Sequence, residues 1–313
     1  MSMLRISILG PCLLLLACHS AAVAQEGTAP DPKADLHAAF ARSGIEVDLE
    51  HKRLTVRAKV SRPADLLEYV LITRVGKAHE ALLVTEASPS VLNAALLALG
   101  LTPGTNVTYK EKDPPPSEEE VRAGVDWLVI TPPTGPQVWF TVAWKDDDAA
   151  KHECPLEDLL MDLDTGEGVA DAEWIYIGGR MAAPYRGEAP VFIADLEGNL
   201  VSSCYLDPGN HLVTLRHARA RSDQNWWMTE ACPPPGTAVA LTVHTQKPDL
   251  VRVREERLAK EAAAGKKPKG PPKELPAQPA SSDNPPPIKR DDEGERKGGT
   301  GKDSKKDGGE RGR

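Results

Sequence analysis

The sequence lacks the motifs that announce a mechanism. It has no GxSxG, P-loop, GxGxxG, EF-hand loop or HExxH. Their absence removes the nucleophile elbow, the phosphate-cradling loops, the calcium loop and the zinc-protease helix from consideration. Cysteine is scarce, five in 313 residues, and aromatic residues make up only 4%. There is no internal repeat and no regular βαβα alternation, which argues against a solenoid and a parallel doubly wound sheet. Beyond the N-terminus, no segment is long and apolar enough to span a bilayer. Basic charge is also short in the body of the chain. From Val253 onward there are 16 Lys+Arg against 12 Asp+Glu, about +4, so Met1 to Arg252 carries −12 of the chain's −8. An acidic body with a mildly basic end is not a nucleic-acid-binding domain.

The two ends differ from the middle. Met1 to Ala24 reads as a secretory signal, with Arg5 ahead of an apolar run from Ile8 to Ala17 and a small-x-small site at Ala22-Val23-Ala24. A competing pattern is Leu15-Leu16-Ala17-Cys18, in which Cys18 would be lipidated and would anchor the protein to a membrane. The expected location is therefore periplasmic or extracellular, with a membrane-anchored lipoprotein as the alternative. Residues 25–35 read as a linker and 36–250 as the globular domain. Residues 251–313, rich in Lys, Pro, Gly, Asp and Glu, read as a disordered tail with too few large apolar residues to bury.

The organising stretch runs from Leu66 to Gly104. Leu67 to Val75 reads as one strand, and Ala81 to Thr85 as a second strand antiparallel to it after a turn at Gly76-Lys77. Ser88-Pro89 then opens a helix over 89–99 that is apolar nearly all round, a core helix to be covered on most sides. Gly100 suits its left-handed C-terminal cap, with Leu101 folding back onto Leu96. Elsewhere, Lys33 to Ala41 reads as a short helix and Ile45–Leu49 with Leu54–Val60 as a hairpin. Trp127–Ile130, Val138–Trp144, Trp174–Ile177, Leu212–Leu215 and Thr237–Val243 read as strands. Pro155 to Met161 reads as a short helix, and Val191–Ala194 with Leu200–Ser203 as a hairpin around Glu197-Gly198-Asn199. The sum is an α+β, β-rich fold of mostly antiparallel strands with one buried core helix and one or two short ones.

The segments GKAHEALLVTEASPSVLNAALLALGLTPG, AEWIYIGGRM, VFIADLEGNLVSS and PPPGTAVALTV occur in that order. Together they resemble the YdjY-domain proteins, exported or envelope bacterial proteins of unassigned function, over roughly Ile45 to Val243. The resemblance implies a shared fold and supplies no reaction. Some relatives are described as iron–sulfur proteins, but four thiolates are needed for a cluster. This chain lacks closely spaced cysteine pairs, so no cofactor is expected.

Candidate functional residues are few. Lys77, His79 and Glu80 form the most suggestive polar group; a histidine and a carboxylate can bind a metal or exchange protons. On a continuous strand, however, His79 and Glu80 point to opposite faces and cannot share an ion, so no metal site is expected. Trp226 and Trp227, after Arg219, Arg221 and Asp223, can stack on a sugar or clamp a peptide, or divide between core and rim. Cys154, in Lys151-His152-Glu153-Cys154-Pro155, would be activated if it began a helix beside a basic group. Of the three possible pairings among Cys154, Cys204 and Cys232, Cys204 with Cys232 is preferred. The functional expectation is a non-enzymatic envelope binding or accessory module whose partner is an envelope protein or polymer. The competing expectation is a metal- or thiol-dependent enzyme using His79 and Glu80 or His152 and Cys154. Mass spectrometry of the exported protein should find Gln25 at the N-terminus; a lipid-modified Cys18 there would show that the other processing route is used.

Overall fold

Alternation of apolar and polar residues decides half of the architecture. In β2 (Arg53–Val60) Leu54, Val56, Ala58 and Val60 are buried, while Arg53, Arg57 and Lys59 face solvent. The same two-residue period runs through β5 (Gln137–Lys145), burying Val138, Phe140 and Val142, and β10 (Ala238–His244), burying Val239, Leu241 and Val243. These three strands lie side by side, with β10 antiparallel to both neighbours. β3 (Tyr69–Thr73) and β8 (Asn199–Ser202) are instead buried almost continuously, as strands covered on both faces are.

The molecule is a computed structural model that describes residues 32–63 and 65–266. Among them, β4 (Ala81–Thr85), β7 (Glu173–Tyr176) and β9 (Val213–Arg216) complete a ring of eight strands in the order β2-β10-β5-β7-β9-β8-β3-β4, closed by pairing of β4 with β2. It is a mixed barrel: β3–β4 and β8–β9 are parallel and the other neighbours antiparallel. β1 (Ile45–Asp48) and β6 (Lys151–Pro155) pair outside the ring, on β2 and β5. Inside, Phe140 meets Trp174 edge to face, with ring centroids 5.4 Å apart. Smaller sheets join Thr108–Glu111 to Leu128–Thr131, and Leu160–Asp162 to both Glu167–Gly168 and Trp226–Met228. The helices α1 (Pro32–Arg42), α2 (Pro89–Ala98), α3 (Glu118–Arg122), α4 (Ile193–Glu197) and α5 (Asp249–Ala263) lie outside the ring.

Several expectations hold. The hairpin of β1 and β2 is present, as is α1. The end of α2 is a Schellman cap: Gly100 has φ +92°, its N–H donates to Leu97 O, and Leu101 N–H donates to Leu96 O.

Others are corrected. β3 and β4 are parallel, because the link from Arg74 to Glu80 runs back and sets Ala81 beside Tyr69. The expected core helix is buried on one face only. Pro89, Leu92, Ala95 and Leu96 pack inward, and Leu97 is 45% exposed. Ser88 does not cap it through its side chain, since its hydroxyl pairs with that of Ser90. The Asp195 carboxylate accepts the Ser90 N–H at 2.8 Å instead, so α4 supplies the cap from across the fold. The expected hairpin around Gly198 is α4 followed by β8, because Gly198 ends a helix rather than turning a hairpin. Pro155 to Met161 is strand end, 3-10 turn (Leu156–Asp158) and strand.

The tail expected from residue 251 begins instead as α5. Its Leu, Arg, Glu, Lys and Ala are good helix formers, and Val251 and Arg254 are buried. Arg254 Nε donates to Asp158 Oδ1 at 2.6 Å and its Nη2 to Val169 O at 2.8 Å. The signal and lipidation patterns, Cys18 included, and the tail after Lys266 lie outside the described residues.

Two glycines meet where α4 ends. Gly198 has φ +73°, and a Cβ there would sit 2.7 Å from the Gly76 backbone nitrogen and also strike the Thr73 hydroxyl. Gly198→Ala should cost about 1–3 kcal/mol in chemical denaturation, from strain plus overpacking. Gly100→Ala, where nothing lies within 4 Å, should cost about 1 kcal/mol from backbone strain alone.

Candidate functional site

The turn between β3 and β4 gathers the polar residues singled out above. Residues Ala78–Glu80 form one turn of 3-10 helix rather than the start of a strand. His79 and Glu80 therefore do not alternate across a sheet. His79 Nε2 lies 3.4 Å from Glu80 Oε1, on the same side of the chain. Lys77 Nζ sits 3.1 Å from both Glu80 Oε2 and Glu68 Oε2, and 5.7 Å from the centre of the buried Tyr69 ring. Glu68 and Asp65, which attracted no attention in the sequence, complete the group. Backbone bonds bring them in: Asp65 N–H donates to His79 O and Glu68 N–H to Glu80 O, each at 3.0 Å. The side chains of Asp65, His79 and Glu80 can each present a ligand atom within 4.8 Å of the other two.

Burial shapes the charges here. It pushes the Glu68 carboxyl up, against the pull of the Lys77 ammonium. Burial works against the Lys77 charge too, but the Glu68 and Glu80 carboxylates outweigh it and raise the amine above its ordinary value. Burial also raises the Tyr69 phenol.

The other candidates separate. Trp226 is a core residue, fully buried, with Nε1 donating to Ser203 O at 2.8 Å. Only its half-buried neighbour Trp227 keeps a partly open face, so the pair is no stacking platform. Arg219 and Arg221 are engaged, Arg219 with Asp162, Asp164 and Asn225, and Arg221 with Asp126.

Cys154, Cys204 and Cys232 are all free thiols. The preferred Cys204–Cys232 bridge is not made. The Cys204 thiol is buried against Leu67 O, and Cys232 lies in the turn after Thr229. Cys154 does not begin a helix but sits in β6. Burial, with the Asp158 carboxylate adding to it, pushes its thiol up to about 12. Burial raises Cys232 to about 11 and Cys204 further. His152 gives Nε2 to Asp146 at 2.8 Å and its ring face to Trp144, centroids 5.2 Å apart. Nothing here activates a thiol.

A second surface was missed. A cleft of about 1140 Å³ runs over β4, β2, β10, β5 and β6. Ala143, Ala238 and Ala240 lie along it among Arg42, Arg57, Lys59, Lys145, Lys151 and His152, with Glu86 and Glu153 as its acidic members. Arg57 is paired with Glu46 and Glu86 with Arg74. Among the described residues Arg42, Lys59, Lys145 and Lys151 form no ion pair.

The YdjY-domain family model matches residues 45–244. The chain belongs to that family. No curated protein and no solved structure matches it. The YdjY domain begins with the first residue of β1 and ends with the last of β10. It thus contains the whole barrel sheet and the polar turn, while α5 lies beyond it.

Two histidines of the YdjY domain, one buried and one partly buried, are held below their ordinary value. His211 is 1% exposed with no partner for Nε2 among the described residues, and burial lowers it from 6.5 to about 4. Burial, helped by Arg53, lowers His244 to about 4 as well; its Nε2 bonds the Thr141 hydroxyl. A lowered folded value means that the unfolded chain binds the proton more tightly. The histidines' contribution is therefore intact above 6.5 and lost as pH falls toward 4, by up to about 3 kcal/mol for the buried His211 and by less for the partly exposed His244, where solvent screens the charge. Urea midpoints should drop across this window, and His211→Gln should make the drop smaller.

Proposed function

We propose that this domain is a non-catalytic binding module of the envelope, and that its ligand is an extended acidic polypeptide segment of a partner protein held in the cleft on the outer wall of the barrel. One observation carries the reading: four cations that form no ion pair among the described residues surround a line of alanines in a protein whose net charge is −8. Short side chains let a second main chain approach the sheet, while Lys59, Lys145, Lys151 and Arg42 attract carboxylates from the rim. A sugar polymer would seek an aromatic face, and the Trp144 ring in this cleft is already covered by His152. Export is supported by the pattern from Met1 to Ala24. The raised thiols speak against the competing thiol enzyme, because the thiolate is the nucleophile.

Fluorescence anisotropy with a labelled glutamate-rich peptide tests this. Binding should be saturable and should weaken as salt rises toward physiological strength. The double charge reversal Lys59→Glu with Lys145→Glu should reduce affinity at least tenfold while leaving the melting temperature within a few degrees, since both side chains face solvent. Equal affinity for a lysine-rich peptide, or indifference to the double reversal, would overturn the proposal.

A further inference from the structure

At the other end of β4 from the cleft, the geometry points to a divalent transition-metal site formed by Asp65, His79 and Glu80. The inference is independent of the cleft and its ligand.

Three features support it. The first is spacing. His79 Nε2 and Glu80 Oε1 are 3.4 Å apart, long for a hydrogen bond, whose usual N···O distance is about 2.9–3.0 Å. Two donors bound to one tetrahedral ion at about 2.1 Å are separated by about 3.4 Å. The third donor, an Asp65 carboxylate oxygen, falls within 4.8 Å of the other two. The second feature is charge. Among the described residues the Glu68 and Glu80 carboxylates share one ammonium, Lys77, and Asp65 pairs with no cation, so carboxylates outnumber cations here and a divalent ion would offset the excess. Among the described residues the Asp65 side chain makes no ion pair or hydrogen bond of its own.

The third feature is support behind the donors. Lys77 holds Glu80 Oε2 and Glu68 Oε2 at 3.1 Å each, which leaves Glu80 Oε1 turned toward His79. The Asp65 N–H bond to His79 O fixes the backbones of two of the three donors against each other. Groups that orient the ligands from behind are what tightens a metal site. One imidazole nitrogen and two carboxylate oxygens suit zinc or manganese better than magnesium or calcium, which prefer oxygen alone. His79 stays about half exposed, so an ion here would keep positions open to solvent, and a carboxylate or phosphate from outside could take them.

Isothermal titration of chelator-treated full chain with zinc tests the site, with magnesium as the comparison ion. One zinc should bind per chain, more tightly than magnesium. Asp65→Asn and His79→Ala should each weaken zinc binding at least tenfold, with circular dichroism and melting temperature unchanged. His51→Ala, which removes the separate exposed pair with Asp48, should leave zinc binding as it was. Absence of saturable zinc binding, or binding that survives both Asp65→Asn and His79→Ala, would overturn the assignment.

Discussion

The structure depends on how one strand divides its edge. β2 offers its whole length to β10 on one side, Arg53 to Lys59 facing His244 to Ala238. On the other side it gives Arg53 to Val56 to β1 and Ala58 to Val60 to β4. The second of these short pairings turns an open sheet into a ring. A closed ring has no exposed edge within it, so the backbone groups of its strands are matched internally. It also lets a chain with few aromatic residues bury Phe140 against Trp174 inside the ring.

Around this ring, polar contacts add to apolar packing in locking the peripheral pieces. Glu157 is 4% exposed and accepts the Trp174 indole N–H at 2.8 Å. Burial raises its carboxyl, so it is held by geometry at an electrostatic cost. One residue on, Asp158 receives the Arg254 guanidinium and ties α5 to the barrel. The Asp195 carboxylate performs a similar service for α2. Asp158 and Asp195 each close a contact between segments far apart in sequence.

That distance explains what could be read beforehand. Strands with strict alternation, such as β2, β5 and β10, were legible, because the period is written in neighbouring residues. Their partners were not, since register joins residues such as Thr55 and Thr242. Around Gly198 local signals were ambiguous: a glycine between two apolar runs serves a hairpin turn as well as a helix C-cap, and only tertiary packing chooses. Lys77, His79 and Glu80 stood out as polar residues ahead of an apolar strand, but the strand assumption set His79 and Glu80 apart. Asp65 joins them through a backbone bond that leaves no mark in the sequence. The cleft was hidden for the same reason, its cations being outward residues on strands brought together only by register.

The three thiols have a chemical consequence of their own. Thiol–disulfide exchange runs through the thiolate. At neutral pH, thiols held near 11 and 12, as Cys232 and Cys154 are, expose about one thiolate in ten thousand or fewer. Burial thus gives these cysteines a kinetic shelter. A small thiolate fraction slows their exchange with external disulfides. Chemical inertness of the sulfur is here a by-product of packing a barrel wall.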